Sequence, residues 1–157
     1  MRQITLPGLF VTAALWAGIV GPAHAQDAVN GGHAGFIKSV QGQVRIVDAA
    51  GQSQAAQVGS LLRTTDRIET DAQGAAGFVL RDGTTLVVGP STQVDIRDYR
   101  FDSTTQDGNL LVGLLRGSLR MISGLLGRSH PEAVRVETQT ATIGIRGTDF
   151  IVSADAP

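Results

Sequence analysis

Histidines, a short acidic cluster, one serine and three arginines are the side chains here whose types and spacing could do chemistry. Of the three histidines, His24 lies in an apolar N-terminal stretch. His33 and His130 sit in polar segments, with no local partner at metal-ligand spacing. Asp66, Glu69 and Asp71 precede Gly74. A calcium loop places its acids at alternate positions ahead of its glycine, so this cluster reads as a solvated turn. Ser91 follows Gly89-Pro90, but no Gly-x-Ser-x-Gly elbow surrounds it. Gly144-x-x-Gly147 is too short to cradle a phosphate and runs into a strand, not a helix. The chain has no cysteine, which removes thiol catalysis and any disulfide framework. These residues predict no enzyme, no cofactor and no metal site.

Arg116 and Arg146 each directly precede a glycine, and Arg120 stands three residues after Gly117. Guanidinium groups brought together can grip an anionic ligand or a partner's carboxylate, which would need a pocket walled by all three. The simpler reading has each arginine pairing with a neighbouring acid or with carbonyls at a strand corner, Arg146 with Asp149 for instance. With Gly147, Asp149 and Phe150 they make up the candidate structural and interaction residues.

Those residues must be positioned by the run Glu137–Val152. It is rich in Thr, Ile and Val, which suit a pleated, half-buried surface. Its apolar side chains change phase: Ile143 and Ile145 share one parity, Phe150 and Val152 the other. A phase change inside a strand needs an extra or rotated residue, and Gly147 between the two phases is the natural bulge or corner.

The 157 residues suit one domain, and an apolar content of 42% is enough for a core. Lys and Arg number 13 against 14 Asp and Glu, a balance that argues against nucleic-acid binding. The N-terminus has the pattern of an export signal. Arg2 is followed by an apolar run from Leu9 to Val20, a Gly21-Pro22 break and the small-x-small triplet Ala23-His24-Ala25. Cleavage after Ala25 is expected, leaving a mature chain that starts at Gln26 in the periplasm or outside the cell. A retained leader would tether the protein to the membrane, but Pro7, Gly8, Gly21 and Pro22 shorten its continuous apolar part below the ~20 residues of a spanning helix.

Residues 26–35 read as a flexible arm, 36–152 as the folded domain and 153–157 as a tail. From Phe36 onward the chain shows short strands punctuated by turn chemistry. Val44–Val47 and Ala55–Val58 are predicted to form a hairpin, with Arg67–Thr70 and Ala75–Arg81 following as strands. Asp82-Gly83 between apolar runs is a signal for a two-residue hairpin, which would set Val79 opposite Leu86 and Phe78 opposite Val87. Thr92–Arg100 alternates cleanly, with Val94 and Ile96 on one face. Leu110–Leu115 and Ser118–Ile122 flank Arg116-Gly117 as a further hairpin. Gly124–Glu132 is a loop with exposed Leu125 and Leu126. The sum is an all-β domain of about nine or ten strands, a β-sandwich or a β-helix-like stack.

The run Thr140-Ala141-Thr142-Ile143-Gly144-Ile145-Arg146-Gly147-Thr148-Asp149-Phe150 resembles the closing signature of the FecR domain family of extracytoplasmic β-rich modules. Upstream, Val40-Gln41-Gly42-Gln43-Val44, Val58-Gly59-Ser60-Leu61-Leu62, Asp66–Thr70, Asp82-Gly83-Thr84 through Ser91, and Arg116–Arg120 follow in that family's order. The resemblance implies a non-enzymatic interaction or sensing module whose partner is a protein or a cell-envelope polymer. Iron-uptake regulators that carry such a domain also have a cytosolic segment acting on a sigma factor and a retained membrane helix. Here about two dozen leader residues precede the β region, so membrane-tethered regulation with an uncleaved leader is the alternative. The resemblance also implies further strands beyond Ser153–Pro157. The Phe150–Val152 strand is therefore expected to present an open edge that promotes self-association or strand addition.

Overall fold

The computed structural model describes residues 32–155. The expected export signal over 1–25, the expected cleavage after Ala25 and most of the predicted arm fall outside the described residues. The elements are β1 (His33–Gln41), β2 (Val44–Val47), β3 (Ser53–Ala55), β4 (Leu61–Arg63), β5 (Arg67–Thr70), β6 (Ala75–Leu80), β7 (Thr85–Val88), β8 (Gln93–Phe101), β9 (Gly108–Ile122), a short helix α1 (Leu125–Ser129), β10 (Val134–Glu137), β11 (Thr142–Gly144) and β12 (Asp149–Ala154). The domain is all-β. The strands of three residues (β3, β4, β11) are too brief to show alternation, which is why twelve are found where the sequence suggests nine or ten.

All twelve strands belong to one sheet, folded over into two leaves. Leaf A runs β4-β1-β6-β7-β9-β12. Leaf B runs β3-β2-β5-β8-β9-β10-β11. Every pairing is antiparallel except β9 with β10, so the architecture is closer to a sandwich than to the parallel coils of a β-helix. Strand alternation sends Ile37, Leu62, Phe78, Leu86, Leu119 and Met121 inward from leaf A. Ile46, Ile68, Val94, Ile96, Val112 and Leu114 come inward from leaf B, and all are buried.

Along one fold line the chain crosses between the leaves four times. It does so at Gly42 (β1 to β2), at Asp71–Gly74 (β5 to β6), at Gly89–Thr92 (β7 to β8) and within β9 at Gly117. Two buried hydroxyls stitch the fold line. Thr70 Oγ1 donates to the Gly89 carbonyl at 2.7 Å and accepts from the Thr92 amide at 2.9 Å. Thr92 Oγ1 accepts from the Ser118 amide at 3.0 Å and donates to the Pro90 carbonyl at 3.2 Å. Gly117 has φ +90°, and a Cβ there would stand 2.6 Å from the Thr92 Cα. Arg116-Gly117 is therefore a bend in one fifteen-residue strand, not the hairpin turn predicted from the sequence. The first half of β9 pairs β8 and β10, and the second half pairs β7 and β12.

Other predictions are corrected as well. The turn at Asp82-Gly83 carries three residues. Gly83 (φ +83°) donates to the Leu80 carbonyl and Leu80 to the Thr84 carbonyl, both at 2.9 Å, the pattern of a type I turn closed by a glycine bulge. The added residue pairs Phe78 with Leu86 and Val79 with Thr85. Phe78 and Leu86 thus enter the core together. β2 pairs with Ser53–Ala55, not with Ala55–Val58. The first strand starts at His33, so His33–Gly35 leave the predicted arm; Ala34 is buried. Ser153 and Ala154 belong to β12 and not to the tail. Gly124–Glu132 contains α1, whose Leu126 is buried under the leaves while Leu125 is exposed.

Candidate interaction surface

The two outer faces differ in chemistry because the outward residues of their strands differ. Leaf B carries a lattice of opposite charges between neighbouring strands. Arg67 bonds Asp95 through two hydrogen bonds of 2.6 and 3.2 Å. Arg45 bonds Glu69 at 3.0 Å, and Gln93 donates to the same carboxylate at 2.9 Å. Arg97 lies across Gly113, where a Cβ would collide with its guanidinium, and reaches Glu137 at 2.7 Å. Such exposed pairs contribute little stability each, but together they leave that face well hydrated.

Leaf A shows the opposite. Its outward row crosses the sheet through Leu61, Phe36, Val79, Thr85, Ile122 and Asp149. The next row includes Gly77, Val87, Arg120 and Ile151. Phe36 (45%), Leu61 (52%), Val87 (41%) and Ile151 (69%) are the solvent-exposed large apolar side chains of this face. The Arg120–Asp149 pair is its one ion pair among the described residues. Arg120 Nε and Nη2 donate to the two Asp149 oxygens at 2.9 and 2.6 Å. Those hydrogen bonds hold the Asp149 carboxyl below the usual carboxylate range.

The predicted candidates are only partly united. Arg120, Asp149 and Phe150 meet at the β9–β12 border, with Gly147 (φ +100°) turning the chain into β12. Asp149 does not pair with Arg146. Strand pairing sets it diagonally beside Arg120, which captures both oxygens. Arg146 is exposed, with no ion-pair partner among the described residues. Arg116 opposes Gln93 on leaf B, across the bend from Arg120, so the three arginines do not wall one pocket. Phe36, Leu61, Val87 and Ile151 were not singled out from the sequence. The inward or outward sense of Val87 depends on the hairpin register, and that of the others on pairings distant in sequence.

The acidic cluster scatters. Asp66 is buried, accepts the Arg63 amide at 2.8 Å and is pushed above the usual carboxylate range by desolvation. Glu69 belongs to the leaf B lattice, and Asp71 accepts the Gln73 amide at 3.2 Å within its turn. Among the described residues no group of three or more His, Asp or Glu is arranged to hold a metal.

A cleft of about 670 Å³ opens between Arg81, Tyr99, Arg100, Asp102 and Asn109. Its floor is rigid. Arg81 lies 5.7 Å over the Tyr99 ring. The Tyr99 hydroxyl accepts the Asp82 amide at 2.9 Å and lies 3.2 Å from the Asp82 carboxylate, whose other oxygen takes the Thr84 hydroxyl at 2.6 Å. Burial first, then the Asp82 charge, push the phenol well above its ordinary range. Thr84 Oγ1 in turn accepts the Gly124 amide at 3.0 Å and anchors the start of α1. This network ties three elements together and is fully engaged in doing so.

The sequence pattern of the family described as FecR protein matches residues 66–157. A solved structure described as a cell surface anchoring domain is 25% identical, with 40% of this chain and 83% of that chain covered and a TM-score of 0.39. No curated protein matches the chain.

Proposed function

Since the chain belongs to the FecR protein family, whose pattern matches more than half of it, we propose that it is a non-enzymatic interaction module of the bacterial cell envelope. In this reading residues 1–25 are removed on export, and the β domain works in the periplasm or outside the cell. Its partner is a protein or an envelope polymer. The observation that supports this most is the asymmetry of the two outer faces. One is neutralised by its own charge lattice; the other leaves Phe36, Leu61, Val87 and Ile151 open beside a single ion pair.

Two measurements test it. Mass spectrometry of the exported protein is expected to find an N-terminus at Gln26. A retained leader would instead favour the membrane-tethered, regulatory alternative. Immobilised mature protein is expected to capture an envelope component, and replacing Val87 with Glu should abolish capture without changing the far-ultraviolet spectrum. Capture that survives Val87→Glu refutes the role of leaf A.

A further inference from the structure

A second cleft, of about 430 Å³, opens where the margin of leaf A, at β4, faces the margin of leaf B, at β3. That volume suits a small molecule. Buried Ile46 forms part of its wall, Gln54 and Ser60 supply an amide and a hydroxyl, and Asp48, Arg63 and Asp66 bring charge to it.

The acids are held in place. Asp48 Oδ1 accepts the Ala50 and Gln52 amides, both at 2.9 Å. Asp66 stands at the end of the turn from β4 to β5, and that turn carries a conformational cost. Thr65 sits at φ +79°, a region that a β-branched residue rarely enters. Its amide donates to the Ile96 carbonyl at 2.7 Å, and the Asp66 carbonyl accepts the Ile96 amide at 3.0 Å. Asp66 is thereby pinned to β8, only 5% exposed.

What sets this cleft apart is that its opposite charges do not meet. Arg45, Arg67, Arg97 and Arg120 each reach a carboxylate within 3.0 Å. Arg63, Asp48 and Asp66 take part in no ion pair among the described residues. One Asp66 oxygen accepts the Arg63 amide. The other meets no donor among the described residues and is not enclosed, so it opens to the cleft. Burial pushes this carboxyl up and the Asp48 charge adds to the effect, against the Arg63 amide and guanidinium; a further positive charge would relieve it. His33 lines the same cleft, and its Nδ1 is buried without a hydrogen-bond partner, an uncommon state for a buried polar atom.

We propose that this cleft binds a small zwitterion of the α-amino acid class, its ammonium held by Asp66 and Asp48 and its carboxylate by Arg63. Charges of both signs, facing one space and kept apart, match a ligand that carries both. A ligand of one sign would leave the other set unpaired. The site does not depend on the outer face of leaf A, and Val87→Glu should leave it intact, so the failure of either reading is seen separately.

Free α-amino acids of both hands, added in pools at millimolar concentration, are expected to raise the melting temperature of the exported protein in at least one case, as a ligand of the folded state does. The α-amide of that amino acid keeps only the ammonium, and its N-acetyl derivative only the carboxylate. Each should bind at least about tenfold more weakly in calorimetric titration, the loss of one charge-assisted contact. Arg63→Gln should fold, since that side chain is exposed and outside every ion pair among the described residues. It should bind the free amino acid and its amide alike. Asp48→Asn keeps an oxygen for the Ala50 and Gln52 amides and should weaken the amino acid while leaving the N-acetyl derivative unchanged. The proposal is overturned if no pool raises the melting temperature, if the amide binds the unsubstituted chain as well as the free acid does, or if Arg63→Gln keeps the preference for the free acid.

Discussion

Replacing Gly117 with alanine tests the fold line at its tightest point. Two costs combine there. The residue sits at φ +90°, where a Cβ crowds the following carbonyl, at about 1–2 kcal/mol. The new methyl would also stand 2.6 Å from the Thr92 Cα and 2.7 Å from its Cβ. Thr92 is wholly buried and bonded to both Pro90 and Ser118, so it cannot swing away without loss, and overpacking of this kind costs about 1–3 kcal/mol. The total of about 2–5 kcal/mol is a large share of the ~5–15 kcal/mol that holds a typical domain together. Gly59 supplies the control: its φ is +89°, and a Cβ there meets nothing within 4 Å. Gly59→Ala should therefore lose only the backbone part, about 1–2 kcal/mol. Urea unfolding followed by far-ultraviolet circular dichroism gives both values. Equal losses for the two variants would mean that the close approach of β9 to Thr92 contributes nothing and that the fold line is not held as argued.

Tyr99→Phe removes the acceptor for the buried Asp82 amide and is expected to cost about 1–3 kcal/mol in the same assay, since the donor is left unpaired. The Asp149 carboxyl, held low by Arg120, adds stability above its unfolded pKa of about 3.9 and loses it as pH falls through the lower folded value. Asp149→Asn should accordingly lower the urea midpoint slightly near pH 7, and the difference from the unsubstituted chain should shrink as pH falls below the unfolded value and the carboxyl takes up its proton; a difference that does not change with falling pH would place the effect in packing and not in charge.

The strand content of the chain is plain where alternation is long enough to carry it. Val94 and Ile96 are buried as their spacing indicates, and the turns at Asp48–Gln52 and Asp102–Asp107 fall where Gly, Asp and Gln cluster. The errors share a cause. Arg116-Gly117 has the residues of a turn, and only β7, β8 and β12, distant in sequence, decide that the strand bends and continues. Asp82-Gly83 suits two hairpin lengths, and the choice accompanies the bonding of Asp82 to Tyr99, seventeen residues away. Arg146 lies closer to Asp149 along the chain, but Arg120 lies closer across the sheet. Leu126 is buried by a helix of five residues, too short for any periodicity to announce it. The candidate surface was legible at its border, in Asp149 and Phe150, and not in its body, because outward sense is a property of register.

Sharing β9 has a mechanical consequence. In a sandwich of separate sheets, a tug on one layer reaches the other only through the soft interior between them. Here any load placed on β12 passes to its neighbour's backbone and continues along the same covalent strand into the opposite layer. The two layers must therefore resist shear, and yield, as a single body.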